Sequence, residues 1–179
     1  MGLYKNKYRI ESARLENWDY SIPWWYYITI CTRGMKCWFG DIKNGKMELN
    51  KYGKIASKHF EKIPNHFKSV EIDYYVIMPN HVHGIIIIND TVETRDRVSL
   101  QNNKKFGKPL KNSLPVIINQ YKGSVTRRIR KSGFPSFQWQ ARFYDHIIRN
   151  ERDLYRIRTY IKNNPLKWAV DEYYEMNGS

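Results

Sequence analysis

The stretch Val70–Ile88 reads VEIDYYVIMPNHVHGIIII and carries the strongest indication of the fold. Its first part, Val70–Met78, is rich in β-branched and aromatic residues, which favour strands. Its second part, Val82–Ile88, is almost wholly apolar, and strands of that kind are typical of the centre of a sheet. The stretch therefore predicts two strands joined through Pro79 and Asn80, the second of them central in a sheet.

The residues before this stretch predict a strand, a hairpin and a helix. Asn44 and Gly45 suit the positive φ angles of a tight hairpin turn, and Pro64 is expected to end the helix. The predicted elements are the buried strand Trp24–Thr32, the hairpin strands Trp38–Ile42 and Lys46–Leu49, and the helix Lys51–Ile63.

The residues after this stretch begin with a polar, charged segment at about 89–113, which predicts a long mobile loop. An amphipathic basic helix over Leu114–Lys131 follows, then a strand over Gln138–Ile148 and a helix over Glu151–Asn163 that Pro165 ends. The resulting order, β-α-β-β-α-β-α, predicts an α+β fold in a single domain, residues 1–179, with helices against one face of the sheet.

The composition indicates a polyanionic partner. Lys and Arg number 31 against 17 acidic residues, a formal charge of +14, which favours nucleic acid. An anionic membrane is the competing partner, but no apolar run approaches the roughly 20 residues that span a bilayer. Without a signal-peptide pattern the chain is expected to be cytoplasmic, and without a GxxxxGK[ST] loop no nucleotide cofactor is expected.

Basic residues concentrate in the second half of the chain. Between positions 104 and 162 there are fifteen Lys and Arg against three acidic residues, which predicts phosphate contact. The candidate DNA-binding residues are Lys122, Arg127, Arg128, Arg130, Arg142 and Arg149.

Two short patterns could carry chemistry. His81 and His83 flank Val82 at the start of a strand, where residues two apart point to one face, so both imidazoles could reach one ion in an open metal site. Tyr160 and Asn164 are one helical turn apart and could present a phenol and an amide together. Each pattern alone also suits a purely structural role.

Two longer runs resemble a known family. The run YVIMPNHVHG, Tyr75–Gly84, resembles the HUH motif of single-tyrosine transposases. The run QARFYDHIIRN, Gln140–Asn150, followed by YIKNNP, Tyr160–Pro165, resembles the C-terminal signature of their REP-associated branch. The resemblance covers roughly Trp24–Trp168, and both blocks occur in the family's order and at its separation.

The resemblance implies a ferredoxin-like fold with an antiparallel central sheet and a divalent metal, Mg²⁺ or Mn²⁺. It implies that His81, His83 and Asn164 bind the metal and that Tyr160 is the nucleophile. The expected reaction is nicking and strand transfer of single-stranded or hairpin DNA through a 5′-phosphotyrosine, in DNA transposition or REP-element processing, by a monomer or a homodimer.

The sequence is also compatible with other functions. A non-catalytic DNA- or RNA-binding protein could retain the transposase fold, and a metal-dependent nuclease could use activated water. A replication initiator with the same motif is a third possibility, although such proteins are usually larger and often carry a second nearby tyrosine or a helicase domain. Tyr121, Tyr144 and Tyr155 are other candidate nucleophiles. His146 could be a further metal ligand, a DNA contact, or a structural residue paired with a polar neighbour.

Overall fold

The computed structural model describes residues 18–90 and 112–170. The elements in chain order are β1 (Trp24–Cys31), β2 (Gly40–Lys43), β3 (Lys46–Leu49), α1 (Lys51–Glu61), α2 (Ile63–His66), β4 (Val70–Ile77), β5 (His81–Ile88), α3 (Leu114–Lys131), β6 (Tyr144–Ile147) and α4 (Glu151–Asn163). Short 3-10 helices span Arg33–Met35 and Pro165–Val170. Most of the loop predicted at 89–113 lies outside the described residues.

The central sheet has four strands in the order β4-β5-β1-β6, and every neighbouring pair is antiparallel. Helix α1 lies in the connection from β1 to β4, and α3 lies in the connection from β5 to β6. A β-α-β-β-α-β order in an antiparallel sheet is the ferredoxin-like arrangement. The α+β, ferredoxin-like prediction is confirmed, with the hairpin β2–β3 as a separate two-stranded sheet.

Helices cover both faces of the sheet, so the prediction that they lie against one face is wrong. Successive strand residues point to opposite faces. One face of β1 and β5, including Ile28 and Ile86, packs against α1 and α3. The other face, including Tyr27 and Ile85, packs against Ile157 and Ile161 of α4. Because both faces are covered, all eight residues of β5 are buried.

Two predicted boundaries differ from the structure for identifiable reasons. The predicted helix Lys51–Ile63 ends at Glu61, and Pro64 lies in the first turn of α2, where a missing backbone N–H is tolerated. The predicted strand Gln138–Ile148 is regular only over β6. Before β6, the chain makes an isolated bridge from Trp139 to Thr32 while the Trp139 side chain packs in the core.

Candidate active site

His81 and His83 lie on the face of β5 that α4 covers. Both side chains are fully buried, with exposed fractions of 0%. Because the residues are two apart on a strand, their rings are adjacent, with Nε2 of His81 2.9 Å from Nε2 of His83. The pairing register places Thr29 of β1 opposite His83 and Cys31 opposite His81. The same-face arrangement expected from the sequence is therefore present.

Asn80 fixes the orientation of the His81 ring. Its Oδ1 lies 2.7 Å from Nδ1 of His81, and its Nδ2 donates to the backbone oxygen of Met35 at 3.0 Å. An amide oxygen only accepts hydrogen bonds, so Nδ1 of His81 must carry the proton. In the neutral ring this leaves Nε2 of His81 with a lone pair directed at the second histidine.

Two hydroxyl groups from β1 hold the ring of His83. Nδ1 of His83 lies 2.8 Å from the hydroxyl of Tyr27 and 2.9 Å from Oγ1 of Thr29. Oγ1 of Thr29 also donates to the Tyr27 hydroxyl at 3.2 Å. Since a hydroxyl can donate or accept, these partners accommodate His83 with its proton on either ring nitrogen.

Burial keeps both imidazoles neutral. It lowers the pKa of His81 to about 3, although a hydrogen bond with the Asn164 side chain acts in the opposite direction. Burial, and secondarily the neighbouring His81, also hold the pKa of His83 well below 6.5. Neutral imidazole is the form that binds a metal ion, so the pair needs no deprotonation near pH 7.

Helix α4 brings Tyr160 and Asn164 to the histidines. The hydroxyl of Tyr160 lies 3.4 Å from Nε2 of His83, and its ring packs edge-on against Tyr27 at 6.3 Å between centroids. Asn164 is 1% exposed, and its side chain acts on His81 in the direction that raises the pKa of that imidazole. Tyr160 is 39% exposed, so its phenol also reaches solvent. The four residues named by the resemblance thus share one side of the sheet.

The donor set fits a divalent cation. Two ligands at right angles, each about 2.1 Å from an octahedral ion, lie about 3.0 Å apart. The 2.9 Å between the two Nε2 atoms matches that spacing. Across residues 18–90 and 112–170, no three or more His, Cys, Asp or Glu side chains form a metal-binding group. A third protein ligand from this region must be of another type, such as the amide of Asn164.

The other candidate nucleophiles occupy different environments. Tyr121 is buried beneath the opposite face and donates to the backbone oxygen of Ala56 at 3.2 Å. Tyr155 is 74% exposed on α4. Tyr144 is 46% exposed and packs edge-on against Tyr27 at 6.2 Å, so it lies near the site without a hydrogen bond to either histidine.

The predicted DNA-binding residues do not form one surface with the site. Lys122 donates to the backbone oxygens of Gln140 and Ala141, and burial lowers its pKa. Arg130 similarly donates to the backbone oxygen of Phe137. These two cations hold the segment before β6 against α3.

The remaining four predicted contacts are exposed. Arg127 and Arg128 are on α3, across the sheet from His81. Arg142 and Arg149 precede and follow β6, the edge strand that pairs with β1. Only this second pair borders the strand that also carries Tyr144.

Sequence reasoning assigned no role to Asn80, Tyr27 or Thr29. Asn80 could have been suspected, since it directly precedes His81 in the motif. Tyr27 and Thr29 reach His83 only through the pairing of β1 with β5, and no local pattern specifies that register.

Within residues 18–90 and 112–170, no helix combines the length and the apolar character that a membrane span requires.

Comparison with known proteins identifies the fold and the family. A REP-associated tyrosine transposase, solved bound to a REP hairpin, superposes with a TM-score of 0.56 at 19% identity over 89% of this chain and 77% of that one. The fold is therefore that of a tyrosine transposase. An uncharacterized protein of Haemophilus influenzae is 38% identical over 165 residues, covering 91% of this chain and 92% of that protein. The chain belongs to the same family as this protein, and no family model matches it.

Proposed function

We propose that this protein is a metal-dependent DNA strand transferase that nicks single-stranded DNA and holds it as a 5′-phosphotyrosine on Tyr160. The observation that carries the proposal is the 3.4 Å between the Tyr160 hydroxyl and Nε2 of His83. A nucleophile this close to a pair of neutral imidazoles can attack a phosphate bound at the same point.

Single-stranded or hairpin DNA is the proposed substrate. The net charge of +14 favours a polyanion, and the tyrosine transposase of the same fold was solved with a REP hairpin. Exposed aromatic rings at the site, among them Tyr144, offer stacking surfaces for unpaired bases. These features favour a DNA transposition or REP-processing reaction.

The proposed reaction exchanges one phosphodiester for another. The phenolic oxygen of Tyr160 bonds to phosphorus and its proton passes to solvent, while the bond from phosphorus to the 3′ oxygen breaks and that oxygen takes up a proton to become a 3′-hydroxyl. A divalent ion, Mg²⁺ or Mn²⁺, bound by His81, His83 and Asn164 would supply charge stabilisation at the phosphate. Because the phosphotyrosine retains a diester linkage, rejoining to a 3′-hydroxyl needs no nucleotide cofactor.

Covalent capture tests the proposal. The purified protein is incubated with Mn²⁺ and labelled hairpin oligonucleotides whose single-stranded flanks are randomised, and the products are separated on a denaturing gel. The expected result is a labelled protein band that Tyr160→Phe abolishes. Tyr155→Phe, on the same helix but 74% exposed, is the matched control and should retain the band.

The competing functions predict different products. Tight DNA binding without any adduct or cleavage would favour a non-catalytic binding protein. Cleaved DNA without attached protein, unaffected by Tyr160→Phe, would favour a nuclease that activates water.

A further inference from the structure

A cavity of about 500 Å³ opens beside Tyr160, between β6 and α4. Its walls include Tyr144, His146 and Arg156, and it reaches the Tyr27 and Thr29 side chains that support His83. The volume is within the roughly 300–1,000 Å³ range of small-ligand sites. An exposed aromatic ring, an imidazole and a guanidinium are groups that bind a base, a sugar oxygen and a phosphate.

His146 and Asp153 form a hydrogen-bonded pair in this region. Nε2 of His146 lies 2.7 Å from Oδ2 of Asp153, and Arg156 donates to the other carboxylate oxygen at 2.8 Å. Burial acts to raise the pKa of the Asp153 carboxyl, but the hydrogen bonds from His146 and Arg156 outweigh it and hold that pKa below its usual value. An ionised Asp153 accepts from Nε2, so Nδ1 is the ring nitrogen that can exchange a proton.

The fold places this pair on the site side of the sheet. His146 pairs with Tyr27 across β6 and β1, so its side chain projects from the same face as Tyr27. Asp153 is in the first turn of α4, where the cap residue Asn150 accepts from its backbone N–H at 2.9 Å. The helix that carries Tyr160 therefore also carries the carboxylate that orients His146.

We propose that this cavity receives the nucleotide on the 3′-hydroxyl side of the scissile phosphate, and that His146, oriented by Asp153, is the catalytic residue that protonates the leaving 3′ oxygen. The inference rests on the proposed function, which supplies the reaction but leaves the leaving group without a proton donor.

The protons and bonds balance in both directions. As the Tyr160 oxygen bonds to phosphorus and the bond to the 3′ oxygen breaks, protonated His146 gives its Nδ1 proton to that oxygen and becomes neutral. Solvent then restores the proton. In rejoining, neutral His146 takes the proton of the attacking 3′-hydroxyl, and Tyr160 leaves as phenol with a proton from solvent. Microscopic reversibility requires one group to act in both directions.

His146 fits this role better than that of a further metal ligand. Its Nε2 is engaged by Asp153, and it forms no metal-binding group with His81 and His83 among the described residues. The side chain of His146 is 36% exposed, so a DNA strand in the cavity can reach it.

A sulfur-substituted substrate separates proton transfer from a structural role. The scissile linkage is first mapped with wild-type protein on the hairpin oligonucleotides, and a second substrate is made with sulfur in place of the 3′ oxygen at that linkage. A thiolate leaves without a proton, so it needs no acid. The variant His146→Gln keeps an N–H that can donate to Asp153 but cannot transfer a proton.

The expected result is that His146→Gln slows adduct formation on ordinary DNA by on the order of 100-fold or more and leaves the rate on the sulfur substrate near that of wild type. His66→Gln, an exposed histidine on α2, should change neither rate. Equal slowing on both substrates, or no slowing on ordinary DNA, would overturn the inference while leaving the proposed function intact. No wild-type adduct on any substrate would instead defeat the proposed function.

Discussion

Oδ1 of Asn80 lies 2.7 Å from Nδ1 of His81, and this contact determines which nitrogen of the buried imidazole is available to a metal ion. The same amide also donates to the backbone oxygen of Met35 at 3.0 Å, so its orientation is fixed. Groups in this position commonly set the ring orientation and basicity of a ligating histidine.

Replacing Asn80 with Ala is predicted to weaken Mn²⁺ binding by about 10- to 100-fold, because the His81 ring loses the acceptor that holds its tautomer. Binding can be measured from the signal of free Mn²⁺ by electron paramagnetic resonance. Asn65→Ala, at an exposed position of α2, is the matched control. Unchanged affinity in a folded Asn80→Ala protein would contradict this role.

The buried histidines should make the protein sensitive to acid. Each has a folded-state pKa below its unfolded value of 6.5, so below that pH the unfolded chain binds more protons and stability falls as the pH falls. Two such groups change the free energy of unfolding by up to about 2.7 kcal/mol per pH unit. This loss of stability begins at about pH 6.5 and continues as the pH falls towards 3, the folded-state pKa of His81.

Urea unfolding between pH 7 and 5, in the presence of a chelator, measures the slope of the unfolding free energy against pH. His83→Gln should reduce it by up to about 1.4 kcal/mol per pH unit. Identical slopes for the wild type and the variant would show that His83 is not held neutral by burial.

Gly84 provides space for the core on the face opposite the site. A Cβ at this position would lie 2.5 Å from Cζ of Phe60, whose ring stacks on Tyr75 at 5.0 Å. Gly84→Ala is therefore predicted to destabilise the fold by about 1–3 kcal/mol, measured by urea unfolding. Gly123→Ala in α3, where the nearest atom is the Arg127 side chain at 3.4 Å, should instead stabilise by about 0.5–1 kcal/mol. Equal effects of the two substitutions would contradict the packing argument.

Arg158 links α4 to the edge strand β4. Its Nε and Nη2 bind the two carboxylate oxygens of Asp73 at 2.7 and 2.8 Å, and its guanidinium lies 5.9 Å from the Trp25 ring. With Arg158 37% exposed, solvent screening limits the predicted coupling to about 0.5–1 kcal/mol. A double-mutant cycle of Asp73→Ala and Arg158→Ala, followed by urea unfolding, measures it. Coupling indistinguishable from zero would show that the pair does not anchor the helix.

The fold was largely predictable because its main elements have strong local signals. The apolar run in β5 predicted a central strand, and Asn44 and Gly45 do adopt positive φ angles of 51° and 70° at the hairpin turn. The helices on both faces were not predictable in the same way. A strand buried on both faces has no polar alternation to reveal which helix covers which side.

The site was predictable only where its residues are close in sequence. His81 with His83, and Tyr160 with Asn164, are paired by strand and helix periodicity. Tyr27 joins them through strand register, which depends on the whole sheet. Lys122 shows another limit, because its position in a basic helix predicts a DNA contact but does not reveal that its ammonium group donates to the backbone oxygens of Gln140 and Ala141.

The chemical identity of the DNA–protein linkage tests the proposed role of Tyr160 directly. The wild-type adduct with hairpin DNA is digested with protease and nuclease, and the remaining nucleotide is located by tandem mass spectrometry. The expected product is a nucleotide attached through its 5′ phosphate to Tyr160. Attachment to Tyr144 or Tyr155, or cleaved DNA bearing a free 5′ phosphate with no modified peptide, would contradict it.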